Sequence, residues 1–200
     1  SWRSCYGSVQ SSEIYDGETI DHTKEQKGWN NISFDDTKWS SVTTIQAGYK
    51  HLLATYNEPV KKHEVFNAVK MITTPKGERV LDFGQNLVGW VKVKASGKAG
   101  NTIVIKHAEV LDKFGNFYTD NMRSAKTTAT YILNGQGEEE FEPHFTFYGF
   151  RYIKIEGDLA EIKPENFTAV ALYSAMPMTG SFTSSNKLVN QLQQNIQWGQ

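Results

Sequence analysis

Apolar and polar residues alternate along much of the chain after residue 78, and this pattern predicts an all-β fold. In the stretch at 89–96, three apolar side chains share one face of an extended strand and two lysines share the other. Short strands separated by turn residues are typical of a β-sandwich or jelly roll. The other predicted strands lie at 78–84, 101–111, 127–133, 144–157 and 166–174.

The last residues follow a helical period. Apolar residues recur at i, i+1, i+4 and i+8 from Leu188, which places them in one stripe of a helix. The serines at 184–185 suit the N-cap of that helix. We therefore expect a short C-terminal helix, which either docks on the sandwich or belongs to a domain outside this chain.

The first part of the chain is rich in turns. The runs YDGETID and FDDTKWS contain the Asp-Gly and Asp-Asp pairs that favour tight turns. Residues 56–66 are charged and contain Pro59, which cannot donate a backbone hydrogen bond. This stretch is interpreted as a linker.

Composition excludes several classes of partner. The 200 residues have a formal net charge of −1, and the sequence contains no basic stripe, no phosphate-binding glycine loop and no long apolar run. We therefore expect neither a nucleic-acid nor a membrane partner. Aromatic residues make up 12% of the chain and offset a modest apolar fraction of 38%. Cys5 is the single cysteine, so no internal disulfide can form.

An acidic turn provides the candidate metal site. Asp16, Glu18 and Asp21 offer the oxygen ligands that Ca²⁺ prefers, and Gly17 permits a sharp turn between them. The alternative is a connecting turn whose carboxylates accept hydrogen bonds from backbone N–H groups.

The same region provides the candidate carbohydrate site. Sugar-binding sites combine an exposed aromatic plane with a few polar groups. Trp29 and Trp39 lie near the acidic turns and are candidate platforms, with Asp16 and Glu18 as the polar partners. The alternative for each tryptophan is packing in the core, which is the interpretation given to Trp90.

Several motifs together resemble one known family. The stretch at 80–157, which contains DFGQN, HAEVLD and GFRY, resembles the β-sandwich that precedes the catalytic domain of bacterial α-L-rhamnosidases. The stretches at 11–21, 28–39 and 180–200 fit the same family in the same order. The resemblance implies hydrolysis of terminal α-L-rhamnosyl bonds with inversion, in a barrel of paired helices. It also implies that the catalytic carboxylates lie beyond residue 200.

The resemblance suggests that the chain consists of three parts. Residues 1–60 are expected to be part of an N-terminal carbohydrate-binding-like sandwich, a module that binds rhamnose through Ca²⁺ in some members. Residues 61–176 are expected to form a second sandwich. Residues 177–200 are expected to be a linker and the first helix of the catalytic barrel.

An inverting glycosidase needs two carboxyl groups about 6.5–9.5 Å apart, one as acid and one as base. The sequence places no such pair across a pocket, and the acidic run at 138–140 is interpreted as a solvated hairpin turn. No catalytic residue is therefore assigned. We expect a non-catalytic accessory fragment, inactive alone, of a periplasmic or extracellular rhamnosidase. Its expected partners are the missing catalytic domain of the same polypeptide and rhamnose-containing glycans.

Three other functions remain open at this stage. They are a free-standing carbohydrate-binding module that binds rhamnose with Ca²⁺, a complete small glycosidase, and a purely structural β-sandwich protein.

Overall fold

The structure is a computed structural model that describes residues 2–159 and 162–200. Strands dominate it, and one short α-helix lies at the C-terminus, so the predicted all-β fold is confirmed. The strands are β1 (Arg3–Ser4), β2 (Val9–Glu13), β3 (Gly17–Asp21), β4 (Ser40–Ser41), β5 (Val60–Asn67), β6 (Lys70–Thr73), β7 (Arg79–Ser96), β8 (Thr102–Ala108), β9 (Val110–Leu111), β10 (Phe117–Tyr118), β11 (Thr128–Ile132), β12 (Glu138–Phe141), β13 (Tyr148–Gly157) and β14 (Phe167–Ser174). The helix α1 is Lys187–Trp198, and short 3₁₀ turns lie at His22–Lys24, Tyr49–His51, Asp120–Met122 and Pro164–Asn166.

Ten of these strands form one curled sheet. Its order is β2-β3-β11-β8-β13-β7-β14-β5, and β6 and β12 also pair with β7. Strands β1 and β4 form a separate pair, as do β9 and β10. Buried apolar side chains from β3, β7, β8, β11, β13 and β14 meet in one hydrophobic cluster, which is the core of the domain.

The long strand β7 links the two parts of the sheet. Its beginning pairs with β6 and β13, whereas its end pairs with β14 and β12. Along its second half, Val91, Val93 and Ala95 are buried, as the alternation predicts, and the intervening side chains face outward.

The linker predicted at 56–66 is wrong. Most of it belongs to β5, which pairs with β14 between Asn67 and Thr168 at one end and Val60 and Ser174 at the other. The charged side chains are compatible with a strand because β5 lies at the edge of the sheet and is largely exposed. Pro59 immediately precedes the strand, where its missing N–H group breaks no ladder.

The acidic run at 138–140 is also not a solvated turn. It lies within β12, and Glu139 is buried there. The Glu139 carboxylate accepts hydrogen bonds from the backbone N–H groups of Asn134 and Gly135, and His22 Nδ1 lies 3.0 Å from it. Burial is tolerated because these groups replace the water that the carboxylate loses.

The helix begins later than its sequence signal suggests. The N-cap is Asn186, whose side chain accepts a hydrogen bond from the N–H of Leu188 at 2.9 Å, so the assignment of the cap to 184–185 is wrong. Ser184 instead supports the cap by accepting from the N–H of Asn186. The apolar stripe of α1 remains exposed, with 80% exposure at Leu188 and 57% at Leu192.

The sheet includes residues on both sides of position 60. Strand β2 pairs with β3, and β3 runs parallel to β11, from Gly17 opposite Thr128 to Asp21 opposite Ile132. The N-terminal stretch is thus joined to the later sandwich by backbone hydrogen bonds. The division of the chain at residue 60 into two domains stays a prediction.

Gly17 is required by this parallel pairing. Its φ of +113° lies in a region that side-chain-bearing residues rarely adopt, and a Cβ there would lie 1.8 Å from the carbonyl oxygen of Thr128. The glycine therefore allows β3 to approach β11 closely.

We predict that Gly17→Ala lowers the free energy of unfolding by more than about 2 kcal/mol, because the methyl group would force β3 away from β11. Gly7→Ala is the matched control, since a Cβ at Gly7 meets nothing within 4 Å. The control should change stability by less than about 0.5 kcal/mol. Urea unfolding of both variants measures the difference, and equal stabilities would contradict this role.

His107 is a buried neutral histidine in the core. It is 1% exposed and stacks on Tyr148 with ring centroids 3.9 Å apart. Its Nδ1 lies 2.8 Å from the carbonyl oxygen of Thr127, and within the described residues its Nε2 has no partner. Burial, opposed in part by the hydrogen bond to Thr127, lowers the pKa of His107 to about 4.

We predict that the fold loses stability as the pH falls below 6.5, the ordinary histidine pKa. Between this value and about 4, the unfolded chain binds a proton at His107 that the folded chain rejects, so the stabilisation present at pH 7 is lost progressively. The loss between pH 7 and pH 5 should be about 2 kcal/mol.

Urea unfolding at a series of pH values measures this slope. His107→Gln should flatten it, whatever that variant's stability at pH 7. His51→Gln, at an exposed histidine, should leave it intact. An unchanged slope in His107→Gln would contradict the assignment.

Candidate functional site

The acidic turn at the start of β3 is held by local bonds. The carboxylate of Glu13 accepts hydrogen bonds from the N–H groups of Tyr15 and Asp16, both at 2.7 Å. The Asp16 carboxylate lies 2.6 Å from the ammonium group of Lys126. Asp16, the first predicted calcium ligand, is thus already paired with a cation.

Glu18, the second predicted ligand, is turned into the fold. It is 1% exposed, and its two carboxylate oxygens accept the N–H groups of His144 and Phe145, each at 3.0 Å. These bonds fasten the segment before β13 to β3. The position of Glu18 matches the alternative interpretation, in which a carboxylate satisfies backbone donors.

Asp21, the third predicted ligand, caps the 3₁₀ turn that follows β3. Its carboxylate accepts hydrogen bonds from the backbone N–H and the hydroxyl group of Thr23, and Lys24 lies 3.4 Å away. Burial alone would raise the pKa of Asp21, but the bonds from Thr23 and Lys24 lower it below its ordinary value.

The structure does not bring these three carboxylates together. Among residues 2–159 and 162–200, no group of three or more His, Cys, Asp or Glu side chains is arranged to hold a metal ion. The Ca²⁺ site at Asp16, Glu18 and Asp21 stays a prediction of the sequence alone.

The two candidate sugar platforms lie in the irregular stretch after β3. Trp29 is exposed, at 64%, and Trp39 is half-buried against Phe34, with ring centroids 5.4 Å apart. Within the described residues, no hydrogen bond or ring contact joins either indole to Asp16 or Glu18. A sugar site at these four residues stays a prediction.

A groove that sequence reasoning missed lies on the outer face of β5, β14 and β7. Its volume is about 420 Å³. Valine side chains and polar groups both line it, and the polar groups include ammonium, carboxylate, amide and hydroxyl groups. The lining residues are Lys62, His63, Val65, Lys92, Lys94, Glu142, Glu165, Asn166, Thr168 and Val170.

Glu142 is the best-connected polar residue of this groove. Its Oε1 accepts a hydrogen bond from Trp90 Nε1 at 2.8 Å and lies 2.6 Å from Lys62 Nζ. Burial alone would raise the pKa of Glu142, but these two bonds lower it. Lys62 also lies over the Trp90 ring, 5.5 Å from its centroid.

Trp90 is half-buried beside the groove, so the predicted core packing applies to only part of its side chain. The alternation of β7 could have revealed this face, because it groups Trp90 with Lys92 and Lys94 on the side opposite the core. No local sequence pattern predicts that Lys62 and Glu142 contact Trp90, because the two residues come from distant segments of the chain.

A second feature lies where β7 bends. Phe150 pairs with Leu87 and Tyr152 pairs with Asp82, so residues 83–86 form a β-bulge opposite Arg151. Arg151 donates two hydrogen bonds to the Asp82 carboxylate, at 2.8 and 2.9 Å. This bidentate pair joins β13 to β7 at the start of the bulge.

The bulge at 83–86 also contacts helix α1. Trp198 donates a hydrogen bond from Nε1 to the carbonyl oxygen of Asn86 at 2.7 Å. Its ring meets Phe66 of β5 edge-on, with centroids 5.7 Å apart. The end of the helix is thus attached to the sandwich, while its apolar stripe is not covered.

Among the described residues, no helix has the length and apolarity needed to cross a bilayer.

Two family models match the chain. The one described as bacterial alpha-L-rhamnosidase concanavalin-like domain matches residues 72–173, and the one described as alpha-L-rhamnosidase N-terminal domain matches residues 1–64. Both matches agree with the resemblance seen in the sequence.

Curated relatives and solved structures give the same result. An alpha-L-rhamnosidase of Streptomyces avermitilis is 40% identical over the whole chain, which covers 19% of that relative. An alpha-L-rhamnosidase of Formosa agariphila is 40% identical over 96% of the chain and 21% of the relative. The chain therefore spans about a fifth of the length of the curated relatives it matches.

The structural similarity extends over the whole chain. The structure of the Streptomyces avermitilis enzyme complexed with L-rhamnose matches with a TM-score of 0.92 over 100% of this chain and 19% of that one. Native rhamnosidase from Aspergillus terreus matches with a TM-score of 0.91 at 38% identity, over 98% of this chain and 23% of that one.

We predict that Glu18 stabilises the fold without a metal. Glu18→Gln should lower the free energy of unfolding by about 2–3 kcal/mol, because two backbone N–H groups lose a charged acceptor. Adding Ca²⁺ or a chelator should leave the melting temperature of the unmodified chain unchanged, because all three carboxylates already have protein partners.

Thermal unfolding with and without Ca²⁺ tests this. Glu25→Gln, at an exposed carboxylate, is the matched control and should behave as the unmodified chain does. A rise in melting temperature with Ca²⁺ that disappears in Asp16→Asn would instead support the predicted calcium site.

Proposed function

We propose, since this chain belongs to the bacterial alpha-L-rhamnosidase family, that it forms a non-catalytic accessory β-region of such an enzyme. The observation that carries the proposal is the match along the whole chain to about a fifth of several alpha-L-rhamnosidases. The activity proposed for the full polypeptide is the release of terminal α-L-rhamnose with inversion.

The pKa values of the carboxyl groups support a non-catalytic role. An inverting glycosidase needs one carboxyl group with a raised pKa, so that it can donate a proton to the leaving oxygen. Seven carboxyl groups among the described residues instead have a pKa below its ordinary value, because hydrogen bonds and neighbouring cations favour the charged form. These groups are Asp21, Asp35, Glu78, Asp82, Asp112, Glu142 and Glu156.

The groove on β5, β14 and β7 contains two carboxylates, Glu142 and Glu165. Glu142 is held ionised by Lys62 and Trp90, so it is unsuited to act as the acid. Glu165 is exposed, so it lacks the buried, water-excluding surroundings of a catalytic acid. This pair therefore favours binding over hydrolysis.

Helix α1 supports an accessory role in a different way. Leu188, Leu192 and Ile196 present an apolar stripe that is at least half exposed, while Trp198 attaches the end of the helix to the sandwich. A short amphipathic helix needs a packing partner. We infer that this partner is the catalytic part of the same polypeptide.

The proposed substrates of the full polypeptide are rhamnose-containing glycans. The proposed location is the periplasm or the cell exterior, because polymeric glycans are degraded outside the cytoplasm. Secretion of the natural polypeptide in its host, measured by cell fractionation, would test the location.

A chimera tests the proposed role. Residues 1–200 would replace the matching region of the Streptomyces avermitilis enzyme, whose backbone agrees with this chain at a TM-score of 0.92. We predict that the chimera hydrolyses an aryl α-L-rhamnoside and that Leu192→Asp lowers this activity at least tenfold, because a charge would be buried between helix and barrel.

Gln193→Asp is the matched control in the chimera, because it adds the same charge beside the apolar stripe. The isolated chain should release no product above the buffer rate. Turnover by the isolated chain that is lost in Glu142→Gln or Glu165→Gln would overturn the non-catalytic role.

A further inference from the structure

The groove on β5, β14 and β7 has an apolar floor. Val170 is 4% exposed beneath it, and Val65 beside it is 66% exposed. Trp90 pairs with Val170 across the two strands and lies next to this floor. The floor therefore offers the C–H groups of Val65 and Val170 to a ligand with an apolar face.

The walls of the groove contain polar atoms that the fold leaves unused. Glu142 bonds through Oε1 to Lys62 and Trp90, and within the described residues its Oε2 has no donor. The ammonium group of Lys94 likewise has no ion-pair partner in the part of the chain that the structure describes. The side chains of Asn166 and Thr168 add further donors and acceptors.

The charged residues that line the groove disfavour the binding of a charged ligand. Outside its ion pairs, the groove presents the Glu165 carboxylate, which disfavours an anion, and the Lys94 ammonium group, which disfavours a cation. Two of the lysines are already neutralised, Lys62 by Glu142 at 2.6 Å and Lys92 by Glu140 at 2.7 Å. A neutral ligand that both donates and accepts hydrogen bonds matches these walls best.

The size of the groove limits the ligand further. A volume of about 420 Å³ lies in the range of small-molecule sites, and the groove is open along the sheet face. We propose that this groove binds a neutral saccharide, with its apolar face on Val65 and Val170 and its hydroxyl groups bonded to Glu142, Lys94 and Thr168.

This inference names a contact with glycan for the proposed accessory region, and it rests on that proposed function only for the choice of sugar. The groove is distinct from the predicted sugar site at Asp16, Glu18, Trp29 and Trp39. It also requires no metal ion.

NMR titration of the isolated chain tests the proposal. The probes are methyl α-L-rhamnoside and methyl α-D-glucoside, with D-galacturonate and D-glucosamine as charged comparisons. Backbone amide shifts are followed at Lys94, Asn166 and Thr168. We expect saturable shifts with at least one neutral glycoside, confined to the groove, and weaker or absent shifts with both charged sugars.

Two variants locate the binding. Lys94→Ala and Thr168→Val should each weaken the affinity by about 2- to 10-fold, because each removes one hydrogen bond to the sugar. Lys98→Ala is the matched control, since Lys98 is an exposed lysine just beyond β7. Neither site variant should disturb folding, because both changes lie on the outer face of the sheet.

Three results would overturn the proposal: no shifts at tens of millimolar glycoside, tighter binding of a charged sugar, or shifts that spread with protein concentration because a second copy covers the groove. None of these results affects the rhamnosidase chimera, whose activity is measured separately. Failure of the groove and failure of the accessory role are therefore distinguishable.

Discussion

The sheet depends on one strand serving two sets of neighbours. Strand β7 pairs with β6 and β13 at its start and with β14 and β12 at its end. It can do so because the bulge at 83–86 redirects it, with Gly84 at a φ of +75°. Asp82 stabilises the bulge by accepting from Gly84 N–H and pairing with Arg151. The contact with α1 is made at this bulge, through the carbonyl oxygen of Asn86.

Much of the fold could be predicted from the sequence. The alternation of Val91, Val93 and Ala95 identifies the buried face of β7, and the helical period after Leu188 identifies α1. These signals are local, because each depends on neighbours within one strand or helix. Strand β5 was missed because its charged residues belong to an edge strand, whose exposed face resembles a linker in composition.

The site was harder to predict because its partners are distant in sequence. Glu18 has the ligand chemistry of a calcium site, yet it accepts N–H groups from residues 144 and 145. Likewise, Glu142 gains its role only when folding brings Lys62 and Trp90 to it. Residue type suggests what a carboxylate can do, whereas tertiary contacts decide which partner it meets.

The parallel pairing of β3 with β11 has a consequence for evolution. Recombination between related genes preserves folds best when crossover points fall between units that share few contacts. Here a crossover near residue 60 would separate β3 from β11 and Glu18 from its two backbone donors. A gene segment that begins at β5 would lack β3 and the Glu18 carboxylate, so it would leave one edge of β11 and two backbone N–H groups without their partners.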